Sequence, residues 1–476
     1  MIDLIWEVIL GFNLFVLAYF LLLNTASLAL SLVSLRALRR YGSSMRMVDL
    51  RELISGAGAP PVTIITPAYN EAAHVVESVR SLLTLEYDEY DVLVVNDGST
   101  DETFARLSTA FDLRPAPRFP TAALHTQPVR GVYRSHRHPK LWLVDKENGG
   151  KADALNAGLN HAQTPLFCAL DADTLLEREA LLRIVRPFLE DSRTVAAGGI
   201  LRVVNGCTVR HGEVVDVALP RRILSRFQVL EYFRVFLAGR MGWNALGASL
   251  VISGAFGVFR RSTVVDAGGY ATDTVGEDME LVVRLNRHCL DGGIPYRLSF
   301  IPDPVAWTEV PEDFNSLGRQ RDRWQRGLIQ SLWRHRSMLL RPRYRRVGMV
   351  AYPHFTAFEM VGPFIEFLGY SAFIATLVFG RATPEYVAAF LAVAVVFGVV
   401  LSLVAVAMEE LTFRRYPRWS HIAQLFLLAI AENLGYRQLV TWWRARGTLS
   451  ALRRRDGWGT PDRKGFQREA QSPNRG

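Results

Sequence analysis

Two aspartate clusters, each placed after a short apolar run, are well suited to metal and nucleotide chemistry. Asp171-Ala172-Asp173 follows one run, and alternate side chains of a strand share a face, so its two carboxylates can converge on one hard divalent cation, Mg²⁺ or Mn²⁺. Asp97-Gly98-Ser99 follows another run, and Asp97 could accept a hydrogen bond from a nucleobase. The alternative interpretations are a solvated turn for the first cluster and an Asp-Gly turn with a helix cap for the second.

A glycine-rich segment with a lysine, Asn148-Gly-Gly-Lys151, stands directly before a stretch with helical character. Its glycines allow the backbone to approach a ligand closely, and Lys151 adds a positive charge at a helix N-terminus, a position that suits a phosphate group. A glycine-rich linker is the alternative interpretation, but it does not explain why the lysine stands at the helix start. We therefore predict that Lys151 binds a phosphate.

Later segments supply candidates for a general base and for a sugar and phosphate site. Glu277 and Asp278 precede apolar residues at helical spacing, so they either cap that helix or provide a base at the mouth of the site. Gln320, Arg323 and Trp324 lie in an arginine-rich run. Arginine pairs with phosphate oxygens and a tryptophan face stacks on a sugar ring, although part of such a run could instead lie on anionic lipid.

The elements that must position these residues alternate between strands and helices. The pattern predicts strands at Val62–Thr66, Asp91–Asn96, Leu141–Val144 and Pro165–Leu170, helices over Glu71–Leu83, Glu102–Phe111 and Lys151–Ala162, and a loop over 112–138. Such alternation is typical of an α/β domain with a mostly parallel sheet and helices on both faces. Ligands bind beyond the carboxyl ends of its strands, which is where the polar clusters fall.

The apolar residues are concentrated outside this domain. Of the 476 residues 49% are hydrophobic, and the mean hydropathy of +0.11 is high for a soluble protein. Leu4–Leu35, Phe355–Phe379 and Tyr386–Met408 are each long enough to cross a bilayer, which takes about 20 residues. Ile422–Trp443 is apolar at first but carries ionisable residues in its second half, which are costly at bilayer depth.

The distribution of arginines predicts the orientation of these segments. Arginines follow Leu4–Leu35 and fill the tail from Arg444, which places both regions in the cytoplasm and the N-terminus outside. An odd number of spans satisfies both placements, so we predict three spans, with 422–443 interfacial or re-entrant. The chain would be a multi-pass protein of the plasma (inner) membrane with its α/β domain in the cytoplasm.

Composition excludes several other classes of protein. Hydrophobicity this high excludes a disordered chain, and three widely spaced cysteines without a CxxC pair exclude a disulfide framework or a zinc ribbon. The net charge of +9 suits nucleic acid, anionic lipid or a phosphate-bearing substrate. Because the basic residues cluster beside apolar segments rather than on a face interleaved with aromatic residues, we expect no nucleic-acid partner.

Taken in order along the chain, these motifs resemble the family 2 glycosyltransferases, most closely the membrane-integrated branch of poly-N-acetylglucosamine, hyaluronan, chitin and cellulose synthases. The resemblance covers about 60 to 466 and comprises Pro67–Glu71, Asn96–Gly98, Asn148–Lys151, Asp171–Asp173, Ser253–Gly257, Gly276–Asp278 and QxxRW at 320–324. It implies a GT-A type, Rossmann-like catalytic domain, inserted between transmembrane and interfacial helices.

The resemblance also implies a role for each motif. The nucleotide sugar would be held by Thr66, Pro67, Tyr69, Glu71, Asp97, Lys151 and Asp171. Asp171 and Asp173 would bind Mg²⁺ or Mn²⁺, with Asp173 nearer the metal. Asp278, beside Glu277, would be the base that deprotonates the acceptor hydroxyl. The acceptor and the leaving diphosphate would contact Ser253, Gly254, Ala255, Gln320, Arg323 and Trp324.

The regions of the chain follow from these assignments. They are a transmembrane anchor at 1–40, the catalytic domain at 41–311, the QxxRW segment with amphipathic interface helices at 312–350, transmembrane and interfacial helices at 351–445, and a basic cytoplasmic tail at 446–476. Within the tail, Trp458, Thr460 and Arg463 resemble the gating loop of hyaluronan-type synthases, which closes over the nucleotide. A basic tail that lies on lipid is the alternative interpretation.

The functional hypothesis is an inverting hexosyltransferase that uses a UDP-sugar to extend a β-linked polysaccharide processively and passes it through its own membrane helices, with an accessory export subunit as a further partner. The alternative is a non-processive enzyme that transfers one sugar to a lipid acceptor. A non-enzymatic assembly subunit is disfavoured because the carboxylates Asp97, Asp171, Asp173 and Asp278 are all present.

Overall fold

The centre of the molecule is a ten-stranded sheet in the residues that the computed structural model describes, 2–45, 58–210, 212–416 and 418–453. The strands are β1 (Val62–Ala68), β2 (Tyr90–Asp97), β3 (Leu113–Pro115), β4 (Val129–Ser135), β5 (Leu141–Lys146), β6 (Leu166–Leu170), β7 (Thr174–Leu176), β8 (Thr194–Val203), β9 (Thr208–Arg210), β10 (Glu213–Asp216), β11 (Phe256–Arg260) and β12 (Arg297–Thr308). The sheet runs in the order 3-4-5-2-1-6-11-8-12-7, and β9 and β10 form a separate hairpin.

The predicted parallel sheet forms its centre. Strands β5, β2, β1 and β6 lie side by side and run parallel, so their carboxyl ends share one edge. Antiparallel strands extend the sheet on both sides: β4 and β3 beyond β5, and β11 beyond β6. The predicted loop over 112–138 is therefore wrong in part, because β3 and β4 fall within it. Their proline and arginine content marked them as loop, whereas β3, at the edge of the sheet, tolerates both residue types.

The helices are α1 (Ile2–Met45), α2 (Val75–Leu82), α3 (Thr103–Phe111), α4 (Lys151–His161), α5 (Ala180–Glu190), α6 (Ile223–Tyr232), α7 (Met241–Ala245), α8 (Arg261–Asp266), α9 (Glu277–Asp291), α10 (Phe314–Arg334), α11 (Gly362–Val378), α12 (Pro384–Thr412), α13 (Trp419–Ala431) and α14 (Tyr436–Leu452). A π-helix, Phe233–Arg240, joins α6 to α7. Helix α2 begins later than predicted because the amides of Glu71 and Ala72 are bonded to Thr103 and Asp101 instead of opening a helix.

Alternating side chains of the central strands build one hydrophobic core on each face of the sheet. In β1, Ile64 packs into the core with α2 and α5, and the next residue, Ile65, packs into the core with α4 and α9. In β2, Val92 packs into the first of these cores and Leu93 packs into the second. The predicted α/β class with helices on both faces is thus confirmed, and burial on both faces explains why these strands are almost continuously apolar.

Two helices are long and apolar enough to cross a membrane in the part of the chain that is described: Trp6–Ser43 within α1, and Pro384–Thr412. Val347–Met360 and α11 form a third candidate, bent by 40° at the break between them. Polar side chains join these helices, since Asn13 donates to the hydroxyl of Thr376 at 2.9 Å. The predicted segment 422–443 instead falls on two helices, α13 and α14, separated at 432–435.

A buried ion pair fixes the sheet domain to the helices. Arg202 of β8 donates through both terminal nitrogens to the carboxylate of Glu409 in α12, at 2.8 Å each, and both side chains are buried. Leu38 of α1 also enters the core that α2 and α5 share with the sheet. The edge of the sheet where the central strands end therefore has a defined position relative to the candidate spans.

Candidate active site

The predicted site residues converge on one cavity of about 3120 Å³ at the carboxyl edge of the central strands. Its walls contain Pro67, Tyr69, Glu71, Asp97, Lys151, Asp171, Asp173, Ser253, Gly254, Ala255, Glu277, Asp278, Gln320, Arg323 and Trp324. Thr66 lies behind the wall in β1, at 1% exposure. The proposed gating-loop residues Trp458, Thr460 and Arg463 lie outside the described residues.

The first turn of the site follows β1 and is held by Asn70. Asn70 adopts a left-handed conformation, φ 56°, which asparagine tolerates better than most residues. Its side-chain oxygen accepts a hydrogen bond from the amide of Thr100 at 2.8 Å. The ends of β1 and β2 are thereby joined, and Tyr69, 45% exposed, projects at the rim of the cavity. The sequence motif contained Asn70, but its tertiary role required the neighbouring strand to be known.

Asp97 organises the glycine-rich turn. The carboxylate accepts hydrogen bonds from the amides of Gly149 at 3.0 Å and Gly150 at 2.8 Å, and from the side chain of Asn148 at 3.2 Å. Lys146 contributes an ion pair at 2.6 Å. Both oxygens are therefore engaged within the protein, so a nucleobase would have to share an oxygen that already holds the turn.

A buried lysine that sequence reasoning missed lies beneath this turn. Lys146 ends β5 and contacts Asp97 at 2.6 Å and Asp153 of α4 at 2.5 Å, with all three side chains buried. A Cβ on Gly149 would meet the Asp153 carboxylate at 2.5 Å, which explains the glycine. The available signal was a lysine at the end of an apolar strand, since a buried charge there needs a partner.

Lys151 stands at the start of α4 and faces the acids of two other elements. Its ammonium lies 2.6 Å from Asp171 and 3.3 Å from Glu277, and it donates to the carbonyl of Gly254 at 3.4 Å. Burial opposes the charge on Lys151, but the two carboxylates outweigh it and raise its pKa. Burial raises the pKa of Glu277, with Lys151 opposing the shift. Lys151 is thus a permanent cation that joins the sheet edge to α9.

Asp171 and Asp173 are the carboxylates that a divalent cation bound to diphosphate oxygens would need at this edge of the sheet. Both lie in the turn between β6 and β7 and are partly exposed in the cavity wall, whereas Ala172 between them is buried. Among the described residues, no group of three or more His, Cys, Asp or Glu side chains is arranged to hold a metal. One or two carboxylates with substrate phosphates are the usual ligands of Mg²⁺ in such sites.

Asp278 faces the cavity from the first turn of α9. One carboxylate oxygen accepts the amide of Gly254 at 2.9 Å, and the other accepts the amide of Met279 at 2.8 Å. Because a carboxylate oxygen has two lone pairs, each can accept a further hydrogen bond. In the same loop, the carbonyl of Ala255 accepts a hydrogen bond from the amide of Asp171 at 3.3 Å. This loop therefore connects the predicted base to the predicted metal ligand.

Helix α10 brings the QxxRW residues close to Asp278. A Cβ on Gly276 would lie 2.7 Å from the Cα of Gly327, so two glycines are needed where α10 crosses the start of α9. Trp324 is 46% exposed, and the guanidinium of Arg321 stacks on its ring at 4.3 Å. Such an exposed indole face suits stacking on a sugar.

Partners from distant elements hold α10, and sequence reasoning missed them. Arg321 pairs with Glu231 of α6 at 2.7 Å, and the hydroxyl of Tyr436 donates to the same carboxylate at 3.0 Å. Arg444 of α14 donates to Gln325 at 2.9 Å and pairs with Glu359 at 2.8 Å. Arg321 and Arg444 looked like members of a basic, lipid-facing set, but both line the cavity.

Comparison with known proteins identifies similar sequences. Residues 166–408 match the family described as Glycosyl transferase family group 2, and residues 63–119 match Glycosyl transferase family 2. The chain is 29% identical over 267 residues to the poly-beta-1,6-N-acetyl-D-glucosamine synthase of Staphylococcus aureus (strain COL), covering 56% of this chain and 54% of that protein. The corresponding Staphylococcus epidermidis protein is 27% identical over 277 residues, which cover 57% of this chain and 56% of that protein.

The chain therefore spans about half the length of the curated relatives it matches. Among solved structures, the mannosyltransferase PcManGT from Pyrobaculum calidifontis, in complex with GDP-Man and Mn²⁺, has a TM-score of 0.49 and 20% sequence identity. That match covers 87% of this chain and 99% of the other.

Proposed function

Since the chain belongs to the glycosyl transferase family group 2, we propose that it is an inverting transferase that uses a UDP-sugar to extend a β-linked polysaccharide at the membrane. The observation that carries this proposal is the continuity of the cavity. One space is lined by the cluster of Lys151 and Asp171, by Asp278, and by Trp324 and Arg444 of the helical side. Donor, base and acceptor groups thus face the same volume.

The donor occupies the sheet edge in this proposal. Tyr69 and Glu71 lie beside the nucleoside, and Lys151 stabilises the charge that develops on the leaving diphosphate. Asp171 and Asp173 would hold Mg²⁺ or Mn²⁺, which when bound neutralises diphosphate charge. Glu277 keeps the Lys151 ammonium beside Asp171, at the end of β6.

The acceptor hydroxyl attacks the anomeric carbon from the side of Asp278. Its oxygen forms the new bond to carbon, the bond from that carbon to the diphosphate oxygen breaks, and the hydroxyl proton passes to the Asp278 carboxylate. UDP leaves with the bonding electron pair, beside Lys151. One in-line displacement inverts the configuration, so an α-linked UDP-sugar gives a β-linked product. The Asp278 oxygens, fixed by the amides of Gly254 and Met279, are oriented for this transfer.

The helical part of the cavity favours a polymer as the product. The walls continue from Trp324 to Phe355, Glu359, Trp443 and Arg444, which belong to helices packed around α10. A chain that grows at Asp278 would have room on that side, whereas the transfer of one sugar to a lipid would not require it. The curated relatives carry the name of a poly-beta-1,6-N-acetyl-D-glucosamine synthase, which makes UDP-N-acetylglucosamine the donor to test first.

We also propose the membrane topology. Trp6–Ser43, the bent pair of Val347–Met360 with α11, and Pro384–Thr412 serve as three spans, with the sheet domain and the tail in the cytoplasm. Helix α14 packs against α10 beside the cavity, through Arg444 and Gln325, which supports an interfacial position for this helix. A growing glycan, the bilayer and an accessory export subunit are the partners in this proposal.

Product sizing tests the function. The detergent-solubilised full chain is incubated with radiolabelled UDP-N-acetylglucosamine or UDP-glucose and with Mn²⁺ or Mg²⁺, and the products are separated by size and by lipid extraction. We expect a long polymer from one of the two donors. A labelled lipid with a single sugar would support the alternative, and no transfer from either donor would contradict the proposal.

A further inference from the structure

Two arginines on one short helical stretch have opposite surroundings. Arg234 and Arg240 both belong to the π-helix Phe233–Arg240. Arg234 pairs with the buried carboxylate of Glu432 and donates to the hydroxyl of Ser402 at 3.1 Å. Its side chain thus joins the π-helix to α12 and to the connection between α13 and α14. Arg234 has a structural role that its contacts explain fully.

Arg240 lines the cavity and has no hydrogen-bond or ion-pair partner among the described residues. The ring of Phe236 covers one face of its guanidinium, at 4.4 Å. A guanidinium donates hydrogen bonds in its own plane, so this contact leaves the N–H groups free for a ligand. Burial lowers the pKa of Arg240 to about 10, which keeps the group charged at neutral pH. A partly buried cation without a partner is costly, and a ligand would supply the missing acceptor.

Two ionisable neighbours and its position in the chain relate Arg240 to the helical side of the cavity. Asp278 and Tyr232 are the ionisable groups close enough to influence its charge, and Tyr232 also lines the cavity. On the donor side of Asp278, Lys151 is already engaged by Asp171 and Glu277. Arg240 comes instead from the helical stretch that follows α6, the helix whose Glu231 holds Arg321 beside Trp324. Arg240 therefore shares the cavity with the QxxRW residues.

We propose that Arg240 is a substrate-binding residue that donates hydrogen bonds to oxygen atoms of the acceptor sugar and so orients the attacking hydroxyl toward Asp278. The ligand class is a sugar with hydroxyl or acylamino oxygens near the reacting hydroxyl. This assignment rests on the proposed function and adds a specific acceptor contact to it.

The test separates acceptor binding from donor chemistry. The full chain and its R240Q and R240K variants are supplied with UDP-N-acetylglucosamine and the β-1,6-linked N-acetylglucosamine dimer, and the acceptor KM is measured. Hydrolysis of the donor by water is followed without the dimer, and donor Kd is measured by titration. The matched control is R234Q, which removes the same charge from the same helical stretch outside the cavity wall.

We expect R240Q to raise the acceptor KM by about 10- to 100-fold, as for loss of a charge-assisted hydrogen bond, with donor hydrolysis and donor Kd within about twofold. R240K should lie between R240Q and the wild type. R234Q should lower Tm and leave the acceptor KM within about twofold. If R240Q lowers Tm as far as R234Q does, the R240K measurement decides the assignment.

An unchanged acceptor KM in R240Q and R240K would overturn the role of Arg240 and leave the proposed function intact. Equal loss of hydrolysis and transfer would also overturn it, because Arg240 would then act on the leaving group. If the wild type turned over neither UDP-N-acetylglucosamine nor UDP-glucose, the proposed function would fail, and this assignment with it.

Discussion

The cavity has two walls that balance their charges differently. The sheet wall lies at the strand ends around Lys151 and Asp171, and the helical wall lies around Trp324 and Arg444. On the sheet wall, Lys146 and Lys151 each hold two carboxylates, and these partners come from strand ends and helix starts within the sheet domain. On the helical wall, Arg321 and Arg444 find their partners in distant segments, Glu231 and Glu359. Arg240 stays open. The lysines of the sheet wall are already paired with carboxylates before substrate binds. On the helical wall, the N–H groups of Arg240 remain available for a ligand.

This difference predicts how substitutions on each wall affect stability and ligand binding. A fully paired, buried network fixes geometry, and removal of one member leaves an uncompensated charge. An open, partly exposed group adds little to folding but can add much to binding. Substitutions on the sheet wall should therefore affect stability together with donor binding, and those on the helical wall should affect mainly the acceptor.

Asp278 stands between the walls, and we expect its loss to have the largest effect. D278N keeps one oxygen that can accept from Gly254 or Met279, replaces the other with an NH2 group that cannot accept, and removes the proposed base, so transfer should fall by about 10³-fold, within the usual range for general-base catalysis. The initial rate of transfer from UDP-N-acetylglucosamine is the measurement. D266N, at an exposed aspartate on α8, is the control and should keep the wild-type rate. Full activity of D278N would refute the assignment of the base.

Lys146 tests the rigidity of the sheet wall. K146M leaves Asp97 and Asp153 buried without their cation, and breaking a buried pair costs about 3–5 kcal/mol. We expect a large drop in Tm of the solubilised chain, and weaker UDP binding because the Asn148–Lys151 turn loses its support. K140M is the control, since Lys140 is exposed and donates to a backbone carbonyl. Unchanged Tm and unchanged UDP affinity in K146M would show that the triad does not hold the turn.

The same difference separates what the sequence predicted from what it did not. The strand ends and the clusters at Asp97, Lys151 and Asp171 were predictable, because each combines a local apolar run with the polar residues that follow it. Lys146 and Asp153 were missed because their burial depends on how β5 and α4 pack. Glu231 and Arg321 were missed because 90 residues separate them in the chain and basic residues near apolar segments resemble a lipid-facing set.

The β3–β4 extension and the division of 422–443 into two helices show the same limit. Strand β4 is largely exposed and contains two arginines, Arg130 and Arg134, so its pattern lacks the apolar character that identified β1 and β2. Helix α14 packs against α10, and its Arg444 bonds to Gln325 and Glu359. Local sequence carries no record of such partners.

Glu231 tests the helical wall with a smaller expected effect. E231Q leaves the buried guanidinium of Arg321, which stacks on Trp324, without its charged partner, so Tm should fall and the acceptor platform should loosen. We expect the acceptor KM to rise about 10-fold, about 1.4 kcal/mol, while donor Kd stays within about twofold. E102Q, on an exposed helical pair with Arg106, is the control. A matching loss of donor affinity in E231Q would mean that the two walls do not act separately.

The contact between α9 and α10 through Glu280 has the smallest expected effect on stability, and that effect depends on pH. Glu280 of α9 is bonded to His335, 3.0 Å away at the end of α10, and to Arg284 at 2.9 Å. Burial opposes ionisation, but the hydrogen bonds from His335 and Arg284 outweigh it and lower the pKa of Glu280 from 4.5 to about 2. A depressed carboxyl pKa stabilises the fold above about pH 4.5, and this contribution is lost as pH falls toward 2.

E280Q should therefore lower stability by about 1 kcal/mol at pH 7, where the pair is charged, and by less at pH 3, where the wild type has begun to lose the same contribution. Tm of the solubilised wild type and variant at both pH values is the measurement. E190Q is the matched control, because Glu190 forms the same i,i+4 pair with Arg186 but is 45% exposed. A difference in Tm between E280Q and the wild type that stayed constant from pH 7 to pH 3 would mean that the charge of Glu280 does not hold α9 to α10. The position of Asp278 relative to the helical wall would then depend on the Gly276–Gly327 contact and the apolar packing around it.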